Sequence, residues 1–103
     1  MYLNHFRIRG SRYPSYTPIV AGGKNACILH YIDNNQSIED GDLVLVDAGC
    51  EYGMYASDIT RTFPINGKYS SEQRAVYDVV LEAHNAACNA VKIGNSCMEP
   101  QNV

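Results

Sequence analysis

Four consecutive apolar residues, Leu-Val-Leu-Val at positions 43–46, run directly into an acidic residue, Asp47. A continuous run of β-branched residues and leucine is typical of a strand that is covered on both faces. Gly53 then supplies the positive φ of a tight turn, and residues 55–63 are predicted as the returning strand, which Pro64 ends. The pattern therefore predicts an antiparallel hairpin over residues 43–63 whose first strand is largely buried.

Each strand of this hairpin carries one aspartate, Asp47 on the first and Asp58 on the second. If the turn is centred between Tyr52 and Gly53, the two side chains lie directly opposite each other, with Cβ atoms about 5 Å apart. Like charges in that position destabilise a sheet, so we expect that one carboxyl group takes up a proton or that a cation lies between them. Hard divalent cations such as manganese and magnesium prefer carboxylate oxygens.

The spacing by itself leaves a plainer interpretation open, in which Asp58 is exposed and only caps a turn. Thr60 falls on the same face of its strand as Asp58. Its hydroxyl would orient the carboxylates through hydrogen bonds, or the residue is there simply because threonine suits a strand. These alternatives remain open from the hairpin pattern alone.

A long helix is predicted after the hairpin. Ser70 and Gln73 have the spacing of a capping box. Apolar residues then recur at helical spacing on one face, and Gly94 is a plausible stop. These apolar residues are Val76, Val79, Val80, Ala83, Ala87, Ala90 and Val91. A hairpin-containing sheet together with one long helix predicts an α+β chain.

A shorter apolar run, at residues 26–31, is predicted as a further strand because Gly22-Gly23 and Asn34-Asn35 bound it. It contains His30. A lone histidine in an apolar strand is more often a core residue than a functional one, so the run alone does not decide its role.

Composition excludes several classes of protein. The 103 residues include 8 basic and 11 acidic ones, a net charge of -3, so we expect no nucleic-acid partner. No apolar run approaches the ~18 residues that cross a membrane, and residues 1–7 lack the apolar segment of a secretory signal. The four cysteines form no Cys-x-x-Cys pair. We expect reduced, mostly buried thiols in a cytoplasmic protein.

Four blocks of the sequence, in this order and spacing, strongly resemble the Xaa-Pro aminopeptidase (aminopeptidase P) family of pita-bread metallopeptidases. The blocks are residues 12–16 (Arg-Tyr-Pro-Ser-Tyr), 28–31 (Ile-Leu-His-Tyr), 41–52 (ending Asp-Ala-Gly-Cys-Glu-Tyr) and 57–64 (Ser-Asp-Ile-Thr-Arg-Thr-Phe-Pro). The likeness runs from about residue 5 to residue 97. It implies a pita-bread-type α+β fold, in which this chain supplies an antiparallel sheet, a hairpin bearing two aspartates and one long helix.

The resemblance also implies a reaction. The family removes the N-terminal residue from peptides whose second residue is proline, using a water or hydroxide held between two metal ions, usually manganese. Asp47 would be a terminal ligand of one metal, and Asp58 would bridge the two. His30 would match the active-site histidine that contacts the substrate and steadies the tetrahedral intermediate.

The chain departs from the family because it matches only the first half of the catalytic domain. The family's site needs a further histidine and two glutamates from the second half, and no block here matches them. We therefore expect residues 1–103 to be a partial catalytic domain, with residues 95–103 as a disordered or divergent tail. The missing half, or a second copy, is the expected protein partner, and the chain alone is expected to be inactive.

Two rival functions fit the same residues. The first is a prolidase, which acts on dipeptides only. The second is a non-catalytic pita-bread module that binds protein or peptide; such a module would be expected to lose the metal carboxylates, whereas Asp47 and Asp58 are both present.

Overall fold

The chain combines short antiparallel strands with one long helix, as the α+β prediction requires. In this computed structural model, which describes residues 2–103, the chain divides into two units, of which the first ends at Lys68 and the second begins at Tyr69. The elements in chain order are α1 (Tyr2–Ile8), β1 (Tyr13–Pro14), β2 (Ile19–Gly22), a 3-10 helix (Gly23–Cys27), β3 (Leu43–Ala48), β4 (Cys50–Tyr52), β5 (Tyr55–Ala56), β6 (Ile59–Pro64), α2 (Ser71–Ala90) and a second 3-10 helix (Glu99–Gln101). The sequence pattern had not predicted α1.

Two three-stranded antiparallel sheets form the first unit. One has the order β2-β3-β6 and the other the order β1-β4-β5. The apolar run that predicted a buried strand lies in the central strand β3, where Val44 and Val46 are buried. Ile19 and Ala21 of β2 form a small core with Tyr31. Asp47 lies near the end of β3, so this packed sheet supports its backbone.

The hairpin itself is confirmed, but its register differs from the predicted one. Thr60, not Asp58, lies opposite Asp47. The turn is centred between Gly53 and Met54, one residue later than predicted, because both residues have positive φ angles of 58° and 70°. Two positive φ angles in succession define the hairpin turn whose twist matches the strands. The prediction counted Gly53 alone, since a methionine rarely adopts this conformation.

The strand predicted over residues 26–31 is wrong. The chain instead forms a 3-10 helix over Gly23–Cys27, followed by a turn that contains His30. His30 has a φ of 57°, which a strand cannot contain. The apolar residues of the run also share no buried face, because Ile28 and Leu29 are exposed and only Tyr31 is buried.

The predicted helix is confirmed as α2, and Ser70 caps it as expected. The Ser70 hydroxyl accepts from the Gln73 backbone N–H at 3.2 Å, and the Ser70 backbone N–H donates to the Gln73 side chain at 2.9 Å. No residue of α2 is buried, although its apolar residues recur on one face. Segment 95–103, predicted as a disordered or divergent tail, contains the 3-10 helix Glu99–Gln101; its divergence stays a prediction.

Removing the cap is expected to weaken the helix measurably. Ser70→Ala deletes the hydroxyl that satisfies a free backbone N–H, which costs about 1 kcal/mol of stability. Thermal unfolding followed by far-UV circular dichroism checks this. Ser71→Ala, one residue later, is the control, because Ser71 lies within the helix and is not its N-cap. Equal losses in the two variants would contradict the capping role.

The prediction that the cysteines are mostly buried is wrong. All four are free thiols; Cys27, Cys88 and Cys97 are exposed, and Cys50 is half-buried. Cys27 ends a surface 3-10 helix and Cys88 lies on a helix without buried residues, which explains their exposure. Within residues 2–103, no helix combines the length and apolar character needed to cross a bilayer.

Candidate metal centre

The side chains of Asp47 and Asp58 converge on one phenolic oxygen. The Tyr16 hydroxyl makes a short hydrogen bond to Asp47 Oδ1 and a second one, of 3.0 Å, to Asp58 Oδ1. The two carboxylates therefore lie on the same side of the hairpin, as expected, although they are diagonal neighbours and not directly opposed. The aspartates are brought together despite the corrected register.

Strand pairing positions Asp47, and a break in the pairing positions Asp58. Asp47 lies in β3 between Ile19 of β2 and Thr60 of β6, so its backbone is fixed on both sides. Asp58 lies in the two-residue gap between β5 and β6. There the backbone is free of the regular ladder, which allows the Asp58 side chain to turn toward Asp47.

Tyr16 belongs to the loop between β1 and β2, and a backbone hydrogen bond fixes that loop against the hairpin. The Ser15 N–H donates to the Gly49 carbonyl at 3.0 Å. Gly49 is buried at the point where the hairpin passes from one sheet to the other. The residue next to Ser15 is thereby placed within reach of both carboxylates.

These residues line an open cleft of about 320 Å³. His30 reaches the same cleft from the turn after the 3-10 helix, where its side chain is exposed. The full lining consists of Tyr16, Thr17, Ile19, His30, Ile32, Asp47 and Asp58. The structure thus gathers the three residues predicted as catalytic or metal-binding into one concave surface.

In the cleft, the Tyr16 hydroxyl is the hydrogen-bond donor to both Asp47 and Asp58. Burial, followed by the hydrogen bonds to Asp47 and Asp58, raises the pKa of the Tyr16 phenol above its ordinary value. Tyr16 is therefore neutral at physiological pH and has a single proton to share between two carboxylates. Two carboxyl groups this close together favour a cation in the cleft, because a cation offsets the repulsion between them.

The donor set fits a hard divalent cation but does not complete its coordination. Carboxylate oxygens are the ligands that magnesium and manganese prefer, and such ions take about six oxygen or nitrogen donors. In the part of the chain that the structure describes, no cluster of three or more His, Cys, Asp or Glu side chains is placed to hold a metal. Asp47 and Asp58 by themselves therefore offer fewer donors than such an ion takes.

Thr60 occupies the predicted face, opposite Asp47. Among residues 2–103, no hydrogen bond joins its hydroxyl to either carboxylate. Its backbone carbonyl accepts from the Arg61 guanidinium at 2.7 Å. A role for Thr60 in orienting the carboxylates stays a prediction.

Comparison with known proteins shows the family. The model of metallopeptidase family M24 matches residues 1–103. The chain belongs to this family. Among curated relatives, the Xaa-Pro aminopeptidase of Haemophilus influenzae is 57% identical over 94 residues, which are 91% of this chain and 22% of the relative. That of Escherichia coli is 53% identical over 96 residues, 93% of this chain and 22% of the relative.

Solved structures of family M24 agree closely with this fold. Pseudomonas aeruginosa aminopeptidase PepP superposes with a TM-score of 0.93 at 54% identity, over 96% of this chain and 22% of that one. A histidine-to-alanine variant of Escherichia coli aminopeptidase P gives 0.92 at 51% identity, over 97% and 23%. The pita-bread-type α+β prediction is confirmed, and the chain spans about a fifth of the length of these family members.

Tyr16 is the residue of the site that the sequence patterns missed. It occurs in the block at residues 12–16 that resembles the family, but nothing in its local pattern marks it as functional. Pro14 and Pro18 indicate only an extended loop on either side of it. The contact with the carboxylates depends on the tertiary hydrogen bond from Ser15 to Gly49, which no local pattern reveals.

Proposed function

We propose that this chain carries part of the metal centre of an Xaa-Pro aminopeptidase-type enzyme. Asp47 and Asp58 are the proposed ligands of divalent cations, preferably manganese. The proposed substrates are peptides with proline in second position, from which the N-terminal residue is hydrolysed. The observation that carries the proposal is the convergence of both carboxylates on one point of a cleft that His30 also lines.

Each of these residues has a proposed task that suits its place. Asp47, half-buried in the central strand, provides a fixed anionic ligand. Asp58, exposed at the break in the hairpin, provides one that adjusts to the ion or ion pair. A pair of divalent cations, when bound, supplies water activated for attack on a peptide carbonyl.

His30 is the proposed contact to the substrate. Its exposed ring lies on the cleft wall, and an imidazole N–H there can donate to the carbonyl oxygen on which negative charge develops. His30 lies in a turn, with a φ of 57°, and not in a buried strand. The remaining ligands are proposed to come from protein outside these 103 residues, with self-association as the other source.

Metal binding by the chain tests the proposal directly. We expect Mn²⁺ to broaden the backbone amide resonances around Asp47 and Asp58 together, with a Kd on the order of 1 mM because so few ligands are present. Asp47→Asn and Asp58→Asn should each weaken binding by at least about tenfold, since each removes a charged ligand.

Asp40→Asn provides the matched control. It removes one negative charge from the same unit, far along the chain from the hairpin's turn. In the wild type, Asn66 Nδ2 donates a hydrogen bond of 3.0 Å to Asp40 Oδ1, and the side-chain oxygen of an asparagine can still accept it. Its Mn²⁺ affinity should equal that of the wild type. Equal weakening in all three variants would reduce the effect to general charge attraction and refute a site at Asp47 and Asp58.

The cytoplasmic location and the lack of nucleic-acid or membrane partners stay predictions from composition. The dipeptidase and the non-catalytic module remain the rival functions, and no contact in the described structure favours either of them over the aminopeptidase.

A further inference from the structure

The Tyr16 hydroxyl holds one oxygen of each carboxylate and leaves the other oxygen of each unengaged. Both of its hydrogen bonds go to Oδ1 atoms. Across residues 2–103, the structure shows no hydrogen bond to Oδ2 of Asp47 or Asp58. A carboxylate has about four lone-pair sites, so an oxygen held by a phenol does not use up its capacity to bind a cation.

Asp58 depends on this contact more than Asp47 does. The strands on both sides fix the backbone of Asp47. Asp58 is exposed and precedes the first paired residue of β6, so its position rests less on the sheet. Within the described chain, its carboxylate has no hydrogen-bond partner besides Tyr16. Repulsion from Asp47 would otherwise favour a rotamer that points to solvent.

From these contacts we infer that Tyr16 is a positioning residue of the metal centre, which holds Asp58 beside Asp47 with both Oδ2 atoms turned to the cation. The inference rests on the proposed function, because it assigns to Tyr16 a task within that site. The alternative is that Tyr16 is a placeholder, meaning that its hydroxyl occupies the position of the cation and must move away before the cation binds. A placeholder would compete with the cation, whereas a positioning residue raises its affinity by fixing the ligands in advance.

Tyr16→Phe tests the inference, because it removes the hydroxyl and keeps the ring. We expect Mn²⁺ to bind about five- to tenfold more weakly, the effect of one hydrogen bond to a charged group at a partly exposed site. We also expect amide broadening near Asp58 to decline more than broadening near Asp47. A general loss of structure would not produce that difference between the two residues.

Tyr31→Phe is the matched control. The Tyr31 hydroxyl also donates to a side chain of the same unit, Asn35 Oδ1 at 3.2 Å, and the residue is buried but does not line the cleft. It should leave Mn²⁺ affinity unchanged. Unchanged or tighter binding by Tyr16→Phe would overturn the inference, and so would an equal loss in Tyr31→Phe.

The two proposals fail in different ways. If Asp47→Asn and Asp58→Asn bind Mn²⁺ as the wild type does, the proposed metal site is wrong. If they lose affinity and Tyr16→Phe does not, only the role of Tyr16 is wrong. If Tyr16→Phe does not fold, an NMR titration of the wild type with diamagnetic Mg²⁺ tests the role of Tyr16 instead. Nuclear Overhauser contacts between the Tyr16 ring and the Asp58 side chain persist on Mg²⁺ binding for a positioning residue and disappear for a placeholder that leaves.

Discussion

Replacing Gly49 with alanine is expected to destabilise the first unit by about 3 kcal/mol or more. A Cβ atom at this position would lie 1.8 Å from the Ser57 carbonyl oxygen and 2.6 Å from its carbon. Both atoms are backbone, so no side-chain rotation relieves the overlap, and the two strands must separate. Overpacking of rigid surroundings typically costs 1–3 kcal/mol, and a clash with backbone lies at the upper end.

The same separation is expected to disturb the proposed metal site. Gly49 accepts the Ser15 N–H that places the Tyr16 loop, and Ser57 directly precedes Asp58. Moving these two backbone segments apart therefore takes Tyr16 and Asp58 away from Asp47. Urea unfolding followed by circular dichroism measures the stability, and the Mn²⁺ titration of the same sample measures the site.

Gly22→Ala is the control for the Gly49 prediction. A Cβ there would lie 2.8 Å from Ile38 Cγ1 and 3.4 Å from Ile38 Cβ and Cγ2, so a side chain must shift but no backbone atom is in the way. Its φ of -101° is also one that alanine adopts without strain. We expect a loss of about 1 kcal/mol or less. If Gly49→Ala unfolds at the urea concentration of the wild type, the close approach is not a structural requirement.

The hairpin shows both what local sequence determines and where it stops. The apolar run of β3 and the glycine of the turn were enough to predict two paired strands. The register was not predictable, because it depends on Met54 adopting a φ of 70°. A shift by an even number of residues keeps side chains on the same face, since side chains alternate with a period of two. The aspartates therefore remained neighbours despite the error.

The start of helix α2 was predictable because its signal is local: the capping box fixes it at Ser71. Its end was predicted too late, because the apolar period was extended to Val91 and the stop placed at Gly94, whereas the helix ends at Ala90. Burial of the apolar face depends on which surface lies against it, so no helix pattern determines it. Val76, Val79 and Val80 are exposed by 66%, 68% and 62%.

Only some residues of the candidate site could be predicted, from their residue types and from the resemblance to the family. Two aspartates on one hairpin left a cation site and a turn-capping Asp58 both open, and only the resemblance favoured the cation site. The resemblance alone suggested a catalytic role for His30, which stays a prediction, while its local pattern predicted a strand where the structure has a turn. Tyr16 needed the tertiary contact between Ser15 and Gly49. Contacts between segments distant in sequence are set by packing, which periodicity does not encode.

The 103-residue chain alone is expected to hydrolyse no Xaa-Pro peptide above the rate of Mn²⁺ in buffer. Two carboxylates hold a cation weakly, so most chains carry none at ordinary metal concentrations. The described residues also contain no group of three or more His, Cys, Asp or Glu side chains that could hold a metal ion. Hydrolysis at a metal pair requires fixed ligands on both ions, and small losses of positioning cost large factors in rate.

A peptide-cleavage assay with added manganese checks this expectation, and two samples make it decisive. Full-length Escherichia coli Xaa-Pro aminopeptidase, about a fifth of which matches this chain, shows that the substrate and conditions support turnover. Asp58→Asn in the 103-residue chain separates turnover at this site from a trace contaminant, because only the former depends on the Asp58 carboxylate. Turnover by the wild-type chain that Asp58→Asn abolishes would contradict the expectation, because it would show catalysis without ligands from any other protein. It would then follow that water or a second copy completes the coordination.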